Sequence, residues 1–108
     1  MTRDELDKAL PKVVQRLRDA LDMERIYLYG SAAASPGGPC HDLDVLVVVR
    51  ESDLNFFDRT AIAYRALQRI GVPVDVQVYT REEFDSRSAL PVSFERTVRN
   101  KGKIVYAA

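Results

Sequence analysis

The sequence predicts an α/β (α+β) domain with a small mixed β-sheet flanked by helices. Three observations predict it. Helical and strand periodicities alternate along the chain in the order α-β-loop-β-α-β-α, with a last β segment. The run "DLDVLVVV" (42–49) is apolar on both faces after its first turn, as a central strand covered by helices requires. The run "VPVDVQVY" (72–79) alternates, with Val72, Val74, Val76 and Val78 on one face and Asp75, Gln77 and Tyr79 on the other. At 108 residues, 46% hydrophobic and 30% charged, the chain is expected to form one domain spanning 1–108.

Each element has a local reason. Residues 2–22 read as a helix. Thr2 and Glu5 form a capping-box pattern, and Leu6, Leu10, Val13, Leu17 and Leu21 share one face. Pro11 lies inside the pattern and argues for a kink or a later start. "RIYLYG" (25–30) is short, aromatic and β-branched, so a strand ending at Gly30. Residues 31–41 are loop by composition. Ser52 is a candidate N-cap for a helix carrying Leu54, Phe57, Ala61, Tyr64 or Arg65, Leu67 and Ile70, with Gly71 beyond its end. "TREEF" (80–84) has a second capping-box pattern. Pro91 to Asn100 reads as a helix stopped by Gly102, and "KIVYAA" as a terminal strand or tail.

The totals exclude several functions. Sixteen basic and sixteen acidic residues cancel, which leaves no electrostatic case for non-specific nucleic-acid binding. No apolar run has the length of a membrane span. The charged N-terminus lacks a signal-peptide core, and one cysteine, Cys40, fits a reducing, cytoplasmic setting.

The chemistry concentrates in residues 29–49. Side chains two apart on a strand share a face, so Asp42 and Asp44 project together. Asp75 is the only charged residue in the third strand. If the two strands are neighbours, Asp75 stands beside Asp44. Three carboxylates on one face repel unless paired, and one or two Mg²⁺ ions would hold them ionised. The competing reading makes Asp42 a loop residue or an N-terminal strand cap and pairs Asp75 with an arginine. The loop before Asp42 bears on the choice. Gly30 ends a strand and Ser31 follows. A glycine there lets the backbone approach a phosphate, and the serine hydroxyl and nearby N–H groups can donate to it. A phosphate pocket beside carboxylates suits metal-assisted nucleotidyl transfer.

Gly30-Ser31, ten residues, then Asp42-Leu43-Asp44 resembles the G-S-x10-D-x-D signature of the DNA polymerase β nucleotidyltransferase superfamily. The chain's size resembles the minimal nucleotidyltransferases (MNT), partners of HEPN-domain proteins. The likeness covers roughly residues 10–106, including "VRNKGKIVY" near the C-terminus. It implies that Gly30 and Ser31 bind the triphosphate of ATP or another NTP. It implies that Asp42, Asp44 and Asp75 ligate two Mg²⁺ (or Mn²⁺) ions, and that Asp75 helps deprotonate the attacking hydroxyl. It also implies a HEPN-type helical partner as acceptor in a toxin-antitoxin pair. Two loop positions depart from the pattern: Ala32 stands where members often carry Arg, and Ser35 where a second Gly is common. His41 replaces a common Ser and is expected to be a solvated loop residue, with Cys40 a bystander. Arg59, Arg65 and Arg69 recur along one helix and are expected to be solvated.

Three functions follow as expectations: an enzyme moving AMP to a hydroxyl, a catalytically silent antitoxin subunit acting by contact, and a nucleotide sensor. No segment remains for a separate acceptor-binding domain, so recognition is expected from a partner or a second copy of the chain.

Overall fold

The computed structural model describes residues 2–34 and 42–108. Ser35, Cys40 and His41, with the expectations attached to them, lie outside the described residues. The elements are α1 (Arg3–Ala20), β1 (Met23–Tyr29), α2 (Ser31–Ala34), β2 (Leu43–Val49), α3 (Phe56–Ala66), β3 (Val74–Thr80), α4 (Arg81–Ser88), α5 (Phe94–Lys101) and β4 (Lys103–Ala107). The four strands form one mixed sheet in the order β3-β2-β1-β4. β1 is antiparallel to both β2 and β4, and β2 is parallel to β3. The predicted fold class therefore holds, while the element order gains α2 over residues 31–34, read from composition as loop, and α4 as a helix of its own before α5.

The sheet buries both faces. α1 and α3 cover one, where Leu6, Val13, Leu17, Ala63 and Leu67 pack on Ile26, Val45, Val47, Val76 and Val78. α4 and α5 cover the other, where Phe84 and Val98 pack on Tyr27, Leu46, Val48 and Tyr79. The double cover explains why β2 has no polar alternation after Asp44.

Local signals set most boundaries. Thr2 caps α1 by accepting the Glu5 N–H, and Thr80 with Glu83 forms a reciprocal capping box at α4. Pro11 sits inside a helix that runs without a break from Arg3 to Ala20. Two starts differ from expectation. α3 is capped by Asn55 rather than Ser52, whose hydroxyl accepts the Leu54 N–H instead. α5 begins after Ser93 rather than at Pro91, because Ser93 accepts the Arg96 N–H.

The phase of α3 is a larger correction. Its buried residues are Arg59 and Ala63, while Leu54, Phe57 and Tyr64 are exposed, Phe57 by 81%. The small Ala63 lets the helix lie close to the sheet. Arg59, expected in solvent, is 2% exposed. Its guanidinium donates to the carbonyls of Leu54 and Val78 and pairs with Glu83. Those acceptors make burial of the cation affordable. Arg65 is exposed as expected.

Truncating Arg59 strands two carbonyls and a carboxylate. We expect Arg59→Ala to cost about 3 kcal/mol, and Arg65→Ala less than about 0.5 kcal/mol. Urea denaturation midpoints check both. Burial raises the Glu83 pKa, but the Thr80 N–H and Arg59 outweigh it and hold the group below its ordinary value of 4.5. The folded form is thus the stronger acid. Its contribution is complete above 4.5 and is lost as pH falls through the lowered folded value.

Candidate functional site

The end of the sheet where β1 stops and β2 and β3 begin carries the predicted residues. The β2–β3 register sets Asp44 directly against Asp75. The β1–β2 register sets Tyr29 against Asp44. Tyr29, Asp44 and Asp75 therefore form a row across three strands, about 4.8 Å apart from strand to strand. All three lie on the face that α4 and α5 cover further along. Asp42 stands just before Leu43, the first residue of β2.

The row is electrostatically tense. The Asp44 carboxyl is pushed above its ordinary pKa, first by burial and then by the negative charges of Asp42 and Asp75. The Tyr29 hydroxyl is pushed far above the usual phenol range by burial, Asp75 and Asp44. It stays protonated and neutral. Among the described residues none offers the Asp44 carboxylate a cation or a hydrogen bond.

Gly30 fits against this row for two reasons. Its φ is +71°, in the left-handed region that glycine tolerates. A Cβ there would fall 2.4 Å from Asp44 Oδ2. Ser31 then opens α2, and the Ala33 N–H closes the turn onto the Gly30 carbonyl at 3.2 Å. Ser31 is exposed, while Ala32 is packed into the core with 4% exposure. In this backbone the side chain at 32 points inward. The Ala32 carbonyl receives the Arg3 guanidinium at 2.9 Å.

Beside Gly30 opens a cavity of about 250 Å³. Tyr29, Ala33, Phe94 and Val98 form its apolar wall, and Lys101 also lines it. Tyr29 and Phe94 meet edge to face, with centroids 5.2 Å apart. Lys101 is the cation nearest in kind to the one missing from the loop. Nothing in the sequence hinted at it, since it lies some seventy residues further along the chain.

The donor set fits a hard divalent cation. Asp42, Asp44 and Asp75 offer only oxygen, and Asp44 is an ionisable group under repulsion that a cation would relieve. The fit is not a finished cage. Among the described residues, no group of three or more His, Cys, Asp or Glu side chains is gathered tightly enough to hold an ion. Asp75 is partly engaged elsewhere: its Oδ1 accepts the Tyr64 hydroxyl at 2.8 Å.

A mixed sheet with a glycine-serine turn facing carboxylates on neighbouring strand ends defines a nucleotidyltransferase fold. The family model for the nucleotidyltransferase domain matches residues 10–105, and the chain belongs to that family. Solved structures agree on the fold. A candidate nucleotidyltransferase from Sulfolobus solfataricus superposes with a TM-score of 0.70 at 20% identity, covering 97% of this chain and 83% of that one. A mutant of the toxin-antitoxin pair MntA-HpeT superposes with a TM-score of 0.59 at 18% identity, covering 91% and 73%. No curated protein matches the sequence significantly. Among the described residues, no helix is long and apolar enough to cross a membrane.

Proposed function

We propose that the chain is a Mg²⁺-dependent nucleotidyltransferase that moves AMP from ATP to a hydroxyl on a HEPN-type helical partner protein. The observation that carries the reading is the register-paired Asp44 and Asp75, with Gly30 packed against Asp44. Asp42, Asp44 and Asp75 would hold the metal, which supplies charge neutralisation for the phosphates and acidity for a bound hydroxyl. Gly30 and Ser31 would receive the triphosphate at the open end of β1. The apolar cavity beside Gly30 offers room for part of the nucleotide, and Lys101 offers the positive charge that Ala32 cannot. Asp75, the most exposed of the row, would accept the proton of the attacking hydroxyl.

The acceptor must be held in line with the α-phosphorus, and that positioning is a large part of the rate. In this reading the docked partner would supply that positioning. The likeness to a toxin-antitoxin pair supports a protein partner. The balanced net charge argues against RNA or DNA.

The test mixes the chain with its cognate helical partner, ATP and Mg²⁺, and reads the partner's intact mass. We expect an increment of one AMP that disappears in Asp42→Ala/Asp44→Ala. A stable complex with no increment would instead favour the silent antitoxin, a reading that the absent loop arginine supports. Efficient nucleotide addition to free RNA by the chain alone would contradict both.

A further inference from the structure

One hydroxyl holds the third aspartate from outside the row. Tyr64 lies on α3, which covers the opposite face of the sheet, and it reaches β3 at the sheet edge. Its hydroxyl donates to Asp75 Oδ1 at 2.8 Å and accepts the Val76 N–H at 3.2 Å. It thus ties a side chain to the backbone of the next residue. Because β3 is an edge strand, the Val76 N–H finds its partner in a side chain rather than a strand.

We propose that Tyr64 is a positioning residue for Asp75. It fixes Oδ1 at the sheet edge and leaves Oδ2 to face Asp44 and a shared divalent cation. Without the bond, an exposed carboxylate repelled by Asp44 has no reason to stay in the row. The hydroxyl thus supplies the restraint that outer partners commonly give to metal-binding carboxylates. This role rests on the nucleotidyl-transfer reading above, since it needs Asp75 to serve a metal.

The experiment measures Mn²⁺ binding alone, by water-proton relaxation, in the wild type, Tyr64→Phe, Asp75→Asn and the double variant. Urea melts establish that each is folded. Tyr64 is 43% exposed and Phe keeps the ring, so the fold is expected to survive. Tyr64→Phe is expected to weaken Mn²⁺ binding about tenfold, the loss typical of removing an outer partner. In the Asp75→Asn background the same change is expected to do nothing further. 3-Fluorotyrosine at position 64 retains the donor and is expected to keep wild-type affinity. An unchanged or tighter affinity in Tyr64→Phe overturns the role, as does an equal loss in both backgrounds. Absence of Mn²⁺ binding by the wild type removes the nucleotidyl-transfer reading, and this role with it.

Discussion

Asp44→Asn is expected to make the protein more stable and functionally blank. In the folded chain the Asp44 pKa is raised by burial and by Asp42 and Asp75. A raised folded pKa means that protonation favours folding. The benefit is present below the ordinary value of 3.8 and is lost as pH rises through the folded value. At neutral pH the ionised group therefore costs stability, and asparagine removes that cost. Without divalent metal, we expect the melting temperature to rise by a few degrees, equivalent to about 0.5–1 kcal/mol. With Mg²⁺ the order is expected to reverse. A metal that binds only the folded state stabilises it by mass action, and under the proposed function the variant would lack a central ligand. Nucleotidyl transfer is expected to fall about a thousandfold, because both charge stabilisation and metal placement are lost. Paired thermal melts with EDTA and with Mg²⁺ check the crossover. A variant that melts lower in EDTA would mean that Asp44 holds the fold together.

Gly30→Ala is expected to cause the second large loss, by another route. The left-handed backbone disfavours any Cβ by about 1–2 kcal/mol. The added methyl would also meet Asp44 Oδ2, so the carboxylate must turn away. We expect a destabilisation of about 2–3 kcal/mol and loss of metal-dependent ATP binding. The two losses can be separated. In Gly30→Ala/Asp44→Ala the clash is gone but the backbone strain remains, so about half the lost stability is expected to return. Denaturation midpoints of the three variants measure this directly. Full recovery would show that the contact dominates, and no recovery that the backbone does.

Much of this site was legible because its logic is local. Strand parity set Asp75 opposite the valines, and the register aligned Asp44 with Asp75, whereas Asp42 falls just outside β2, where strand parity does not reach. The caps at Thr2 and Thr80 needed only their own neighbours. The misreadings fall where a side chain answers to a distant partner. Hydropathy assigned Arg59 to solvent, since its burial depends on the Val78 carbonyl and Glu83, both from other elements. The same error turned α3 and placed Phe57 inward. Tyr64 entered the sequence reading as a packing residue, and nothing near it announced a bond to Asp75 eleven positions away. The inward-facing Ala32 and the cavity with Lys101 were equally beyond reach, because both depend on how α2 and α5 settle on the end of β1.

The antiparallel pairing of β1 with β2 has a consequence for how such a chain can diversify. Gly30 is placed by the end of β1, and Asp44 by the register of β2 between its two neighbours. The first residues beyond Ser31 are tied to the same end of β1: Ala32 is buried and its carbonyl takes the Arg3 guanidinium, and the Ala33 N–H closes on the Gly30 carbonyl. A lineage can therefore change residues outside these pairings and ties without moving Gly30 away from Asp44.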